Sequence, residues 1–202
     1  MFQESNFKSI CHRTATNQTH FVWIGLECST WSRARHAGTR NANNKGAWPG
    51  PLLSDSVIRG LSNFSAKGEA KVLRGNALCQ LAAKLCCLCV RRNVSIVMAN
   101  SKNFRLWQSP FFSKLLKINP LVILDHCQLG NLFRKPAALL TYGLPVSAFD
   151  RQCEPEKSIC GASACKHVSL QGEGSKELQL FATAAASAYP RSFCSHVANI
   201  LL

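Results

Sequence analysis

A short apolar segment that runs directly into reactive side chains is the feature that most constrains this chain. Residues 21–26 (FVWIGL) predict a buried strand, and Gly25 favours the exit of the chain from a sheet. Cys28 follows two residues after this segment. Because ligands of open α/β sheets bind beyond the carboxyl ends of the strands, we expect the Cys28 thiol at the edge of a site and not in the core. The loop also carries hydroxyl and guanidinium groups, at Ser29, Thr30, Arg33 and Arg35.

The predicted elements come in an order that indicates an α/β sheet. A strand, a long loop, a helix at 69–92, a strand at 94–98, an interrupted helix at 104–118 and two adjacent strands at 121–124 and 137–142 follow one another. We expect this sheet to be mostly parallel, with an antiparallel strand pair near its edge. Residues 1–20 show no sustained period, so we expect a flexible lead-in there.

The segment around Cys28 resembles the catalytic loop of DNA cytosine-C5 methyltransferases, where a strand runs into a Pro-Cys pair and then a Ser/Thr-rich loop that contains Arg. Further stretches that resemble the family follow in the same order, at 94–107, 125–143 and 184–198. The resemblance implies a partial, Rossmann-like methyltransferase sheet and a single partial methyltransferase-like domain at 21–202. It also implies S-adenosylmethionine as the cofactor.

The resemblance implies roles for particular residues. Cys28 would attack C6 of a flipped cytosine, and Asn100 and Arg134 would help to hold the base. Lys135 and the loop residues would contact nucleic acid, although a solvated basic turn explains Arg134 and Lys135 equally well. Trp48 either stacks on a base or only anchors the Gly- and Pro-rich loop around it.

The sequence departs from the family at chemically important positions. Glu27 replaces the family's proline, Ala99 occupies the position of the catalytic glutamate, and alanines follow Lys135 where the family adds an arginine. A methyl group can neither protonate the cytosine ring nor accept a hydrogen bond from its exocyclic amine. The glycine-rich turn that binds the cofactor in the family is not found before Phe21. We therefore expect a degenerate or truncated homologue that is inactive by itself.

The charge of the chain favours a polyanionic partner. The net charge is +14, and residues 67–117 hold ten basic residues and one acidic residue, Glu69. Nucleic acid, DNA more than RNA, is the expected partner, so a non-catalytic basic nucleic-acid-binding module is the alternative to a methyltransferase homologue. An incomplete sheet would leave a strand edge exposed, which favours a homo-oligomer or a complementing chain.

The eleven cysteines point to a reducing compartment. Residues 1–17 are polar and do not resemble a signal peptide, so we expect reduced thiols in the nucleus or cytoplasm and no membrane association. The cysteines of the helix at 69–92 fall among leucines and are expected to pack in the core. Further along the chain, the spacing of Cys153, Cys160, Cys165 and His167 matches none of the common zinc patterns, and on this basis we assign no metal ligand.

Overall fold

The computed structural model of the chain describes residues 4–26, 52, 60, 65–154, 159–168, 189 and 191–201. Within these residues, the α-helices are α1 (Glu4–Ala15), α2 (Ala66–Arg91), α3 (Ser113–Ile118) and α4 (Arg191–Leu201). The strands are β1 (Phe21–Gly25), β2 (Ser95–Ser101), β3 (Val122–Asp125) and β4 (Pro136–Tyr142). Short 3-10 helices lie at Arg105–Gln108, His126–Leu129 and Val146–Ala148.

The strands form a four-stranded open sheet in the order β1-β2-β4-β3. β1 pairs with β2 in parallel, and β3 pairs with β4 antiparallel. The expected α/β class and the antiparallel pair near an edge are confirmed. The expectation of a mostly parallel sheet is wrong, because the pairings among the described strands are mostly antiparallel, with β1 and β2 as the one parallel pair. β4 lies between β2 and β3 and gives each of them an antiparallel neighbour.

The chain divides into two compact units. The first unit comprises Met1–Leu121 and Leu140–Gly143, and the second comprises Val122–Leu139 and Leu144–Leu202. β4 contributes residues to both units, since the division falls between Leu139 and Leu140.

α2 is the long helix of the first unit and packs against α1 and β2. Ser65 caps its start, because the Ser65 side chain accepts a hydrogen bond from the backbone N–H of Gly68. Cys79, Cys86 and Cys89 are fully buried in the helix. The prediction that the cysteines of this helix pack in the core is therefore confirmed for these three.

α2 is also the one described helix that is long and apolar enough to cross a membrane. Its buried side chains include Val72, Leu85 and the three buried cysteines, and its exposed positions include Lys67, Lys71 and Lys84. A helix that buries an apolar face on a sheet and exposes charges is typical of the core of a soluble protein. We therefore interpret α2 as a core helix.

α1 occupies residues that we expected in the flexible lead-in at 1–20. Phe7, Cys11 and Thr14 recur with helical spacing on the less exposed side of α1, and Thr14 is fully buried. Phe7 is the one large apolar residue of this stripe. The period was missed because a thiol and a hydroxyl stand where larger apolar side chains normally mark a buried helix face.

The turn after β4 requires glycine. Gly143 has a φ of +72°, and a Cβ atom at this position would lie 2.8 Å from the Ser95 Oγ. The Ser95 hydroxyl in turn donates a hydrogen bond to the Gly143 carbonyl oxygen at 3.2 Å. The close approach therefore fixes the end of β4 beside the start of β2 in the first unit.

The second unit is built around β3, β4 and α4. Leu124 of β3, Leu139 of β4, Phe149 and Phe193 of α4 are fully buried in it. The imidazole of His126, which directly follows β3, stacks on the Phe193 ring with centroids 5.8 Å apart. Aromatic and aliphatic side chains thus form the core beneath the turn that begins at His126.

Candidate functional site

The parallel pair β1 and β2 forms the corner where the resemblance implies catalysis. Gly25 lies opposite Ala99 in the register of the two strands. We expected β2 to end at Met98, but it continues to Ser101. Ala99 and Asn100 therefore belong to the strand and do not follow it. The chain leaving β1 after Gly25 does so beside Ala99.

Asn100 is buried, and its side-chain amide oxygen accepts a hydrogen bond within the corner. The Asn100 Oδ1 accepts a hydrogen bond from the backbone N–H of Ser101 at 2.9 Å. The indole N–H of Trp107 donates to the Ser101 carbonyl oxygen at 3.0 Å. These contacts hold the end of β2 and orient the Asn100 amide.

Several predicted site residues lie outside the described part of the chain, and their assignments stay predictions. They are the nucleophile Cys28 and the nucleic-acid-binding candidates Ser29, Thr30, Arg33, Arg35 and Trp48. Of the predicted site residues, the structure places Asn100 in the first unit and Arg134 and Lys135 in the second.

Arg134 makes contacts within the second unit. Its Nε lies 3.4 Å from the Asp125 Oδ2, and its Nη2 donates to the Cys153 carbonyl oxygen at 3.0 Å. The Asp125 Oδ2 also accepts from the backbone N–H of Cys153 at 2.7 Å. Arg134 and Asp125 therefore hold both polar groups of the Cys153 backbone.

Lys135 contacts the His126 backbone, and its charge affects the pKa of the His126 imidazole. Its carbonyl oxygen accepts from the backbone N–H of His126 at 3.2 Å. Burial of the His126 ring, followed by the positive charge of Lys135, lowers the pKa of His126 to about 4, against the opposing effect of Asp125. The ring is 1% exposed, and neither of its nitrogens has a hydrogen-bond partner among the described residues. His126 is thus a neutral core residue near neutral pH.

Four side chains that can bind a metal ion converge in the second unit. Their Sγ and imidazole nitrogen atoms all lie within 4.8 Å of one another. The three thiols are buried and the imidazole is half-buried. We call this group the Cys3His cluster; its members are Cys127, Cys153, Cys160 and His167.

Three separate pieces of chain supply the Cys3His cluster. Cys127 lies in the 3-10 helix that directly follows β3. Cys153 comes two residues after Arg151, which forms a bridge with Leu124 of β3. Cys160 and His167 lie at the two ends of a tight turn, in which the backbone N–H of Cys160 donates to the Cys165 carbonyl oxygen at 2.8 Å.

The electrostatic environment differs between the thiols of the cluster. Burial raises the pKa of Cys160, but hydrogen bonds outweigh it and lower that pKa to about 6. The donors are the Ser163 hydroxyl, the backbone N–H groups of Ser163 and Ala162, and His167. Burial, followed by contacts with Cys160 and Cys153, raises the pKa of Cys127 to about 12. The turn therefore favours a thiolate at Cys160, while burial keeps the proton on Cys127.

The sequence interpretation grouped three of these donors but missed the fourth. It considered Cys165, whose side chain is exposed and which is not a member of the cluster. It did not consider Cys127, which is separated from Cys153 by twenty-five intervening residues. The available signal was the position of Cys127 just after a predicted strand, at the edge where ligand-binding residues gather.

No protein-family model, no curated protein and no solved structure matches this chain.

Proposed function

We propose that this chain is a nucleic-acid-binding protein similar to DNA cytosine-C5 methyltransferases, with DNA as its partner, and that it does not transfer methyl groups by itself. The observation that carries the proposal is the register of β1 and β2, in which Gly25 lies opposite Ala99. Cys28 follows Gly25 by three residues, and Asn100 follows Ala99. Parallel strands end at the same edge, so this register suits a site shared by the two segments.

The expected lack of catalysis rests on Ala99. The side chain is 1% exposed within β2, and a methyl group offers no proton to a cytosine ring. The resemblance implies S-adenosylmethionine as the methyl donor, and the family binds it through a glycine-rich turn that the sequence before Phe21 does not contain. Methyl transfer to cytosine would therefore need a proton donor other than residue 99 and a cofactor site outside residues 1–20.

The affinity for nucleic acid is assigned to the basic residues of the first unit. Nine of the ten basic residues at 67–117 are exposed, and the exception is Arg105. Lys67, Lys71 and Arg74 recur at helical spacing at the start of α2, which places three cations on one face. A row of cations on a helix suits contacts with successive phosphates. Such a partner is consistent with a location in the nucleus or cytoplasm.

A salt titration of DNA binding tests the proposal. We expect the logarithm of the affinity to fall linearly with the logarithm of the salt concentration, by about 0.9 for each phosphate contacted. The double variant Lys67→Gln/Lys71→Gln should lower the affinity and reduce this slope by about 2. The matched control is Arg151→Gln/Lys166→Gln, which removes two exposed charges from the second unit. Affinity that does not change with salt would overturn the proposal.

A methyl-transfer assay tests the second part of the proposal. The full chain is incubated with labelled S-adenosylmethionine and a CpG-containing duplex, and we expect no label in the DNA. A Cys28→Ala variant should bind the same duplex as tightly as the unchanged chain, since no covalent adduct forms. Robust methyl transfer by the isolated chain would contradict the assignment of an inactive homologue while leaving DNA binding intact.

A further inference from the structure

We propose that the Cys3His cluster binds one Zn²⁺ ion with tetrahedral geometry and that this ion holds the second unit together. This inference is independent of nucleic-acid binding. It depends only on the positions of four donor atoms and on the chain that surrounds them.

The spacing of the donor atoms suits a single zinc ion. With Zn–S near 2.3 Å and Zn–N near 2.0 Å, two tetrahedral ligands of these types lie about 3.6 Å apart. The Cys153 Sγ lies 3.7 Å from the His167 Nε2. The remaining donor pairs lie within 4.8 Å, so small movements of the side chains bring all of them to bonding distance.

The ligand set favours zinc and a structural role. Three thiolates and one imidazole form one of the common closed zinc sites, in which protein atoms fill every coordination position. On binding, the thiols release their protons to solvent, and the site then carries a net charge of about −1. The Arg134 guanidinium, paired with Asp125, donates to the Cys153 carbonyl oxygen and so holds the backbone of one ligand.

The backbone around the ligands is arranged to hold them. The Cys160 sulfur lies 3.9 Å from the Gln128 side-chain nitrogen and 3.8 Å from the Cys127 carbonyl oxygen. Ala164 completes the turn with a φ of +54°, and its N–H donates to the Cys160 carbonyl oxygen at 2.8 Å. The Asp125 carboxylate accepts a hydrogen bond from the backbone N–H of Cys153 at 2.7 Å and so fixes the backbone of a second ligand. Such outer contacts orient metal ligands and stabilise their charge.

Packing of thiols as small apolar groups does not explain this arrangement. The buried cysteines of α2 show what such packing looks like, since they lie along one helix and, among the described residues, belong to no group of side chains that could hold a metal ion. The Gln128 side-chain N–H instead donates to the Cys160 sulfur at 3.9 Å, and the imidazole of His167 stands beside the thiols. Donors aimed at a sulfur and an adjacent imidazole are typical of a metal site.

The metal would connect separate pieces of chain. Leu124 of β3 forms an isolated bridge with Arg151, two residues before Cys153, and the turn that holds Cys160 has a bridge of its own, between Ile159 and Lys166. A metal that ties three such segments restricts the unfolded chain and contributes its binding free energy to folding. We therefore expect the second unit to depend on zinc for its stability.

The full chain, purified from cells without added chelator, tests the inference by its metal content. We expect one equivalent of zinc by elemental analysis and by native mass spectrometry. Replacement by Co²⁺ should give the ligand-field absorption of tetrahedral cobalt together with a thiolate-to-cobalt charge-transfer band. Removal of the metal with a strong chelator should lower the thermal midpoint of unfolding.

Variants identify the ligands. Cys127→Ser and Cys160→Ser should each lower zinc affinity by at least about 100-fold, because loss of a ligand costs more than the roughly 10- to 100-fold loss that follows from removing an outer contact. Cys165→Ser is the matched control, since Cys165 is exposed and lies in the same turn, and it should keep one equivalent. His167→Cys should retain the metal and strengthen the charge-transfer band, a readout that survives if the serine variants fail to fold.

Several outcomes would overturn the inference. A metal-free chain that binds no Co²⁺ would do so, as would a mass two units lower from a disulfide between cluster cysteines. Loss of the metal in Cys165→Ser together with its retention in Cys127→Ser would also overturn it, because the ligand set would then differ from the Cys3His cluster.

Discussion

The carboxylate of Asp125 accepts a hydrogen bond from the backbone N–H of Cys153 at 2.7 Å. The two residues lie twenty-eight positions apart in sequence. The same carboxylate oxygen pairs with Arg134, which also binds the Cys153 carbonyl oxygen. A buried acid at the end of β3 thus fixes the backbone of a candidate metal ligand, and the arginine completes the connection.

Replacing Asp125 tests this connection. Asp125→Ala leaves the Cys153 N–H without its acceptor and Arg134 without its carboxylate, so we expect a loss of about 2 to 3 kcal/mol in the free energy of unfolding. Zinc affinity should fall by about 10-fold, the range found for outer contacts. Urea unfolding and competition with a metal indicator measure the two effects. The control is Asp150→Ala, which removes an exposed carboxylate bonded to Gln152 and should change stability by less than about 0.5 kcal/mol.

The free energy of unfolding should fall in acid because the buried His126 has a lowered pKa. Its pKa is about 4 in the folded chain and 6.5 in the unfolded one, so the unfolded chain binds more protons between these values. The stabilisation is fully present above pH 6.5 and is lost as the pH falls toward 4, by up to about 3 kcal/mol.

The pH dependence is assigned to His126 by substitution. His126→Phe keeps the stacking on Phe193 and removes the titrating group, so the difference in unfolding free energy between this variant and the unchanged chain should grow as the pH falls. Both proteins are measured with zinc present, so that loss of metal in acid cancels in the difference. His12→Gln, at an exposed position of α1, is the control. A difference that stays constant from pH 7 to pH 5 would contradict the assignment.

Gly143→Ala should destabilise the first unit. The new Cβ would meet the Ser95 Oγ at 2.8 Å in a left-handed backbone conformation, and we expect a cost of about 2 kcal/mol. Adding Ser95→Ala removes the clashing hydroxyl and should recover part of the loss in a double-mutant cycle by chemical unfolding. Gly161→Ala is the control, because nothing lies within 4 Å of its added Cβ. Equal effects of the two glycine substitutions would contradict this explanation.

Ala164→Gly should stabilise the turn of the Cys3His cluster. Ala164 has a φ of +54°, which costs an L residue about 1 kcal/mol and costs glycine nothing. We expect a gain of up to about 1 kcal/mol, seen as a higher thermal midpoint of the zinc-bound chain. Ala162→Gly, two positions earlier in the same turn, should instead lower the midpoint slightly, since it adds only freedom to the unfolded chain. A loss of stability in both variants would show that the backbone conformation at Ala164 carries no strain.

Local patterns identified much of the secondary structure. The predicted helix at 69–92 is α2 (Ala66–Arg91), and the predicted strands at 94–98, 121–124 and 137–142 match β2, β3 and β4 within about three residues at each end. The predicted break at Pro110 separates a 3-10 helix from α3. α1 was missed because its inward positions include a thiol and a hydroxyl, which give a weak period.

The sequence by itself determined the α/β class, the core role of α2 and of three of its cysteines, and the basic character of the exposed residues, because these follow from neighbours within a few turns or strand repeats. Only the tertiary structure decided the sheet order and the membership of the Cys3His cluster. β4 lies between β2 and β3, although it follows β3 along the chain. Cys127 reaches Cys153 across twenty-five intervening residues because Asp125 and Arg134 hold the second segment against the end of β3. Contacts between distant segments leave no period in the sequence, so the geometry that brings the donors together appears only in the folded chain.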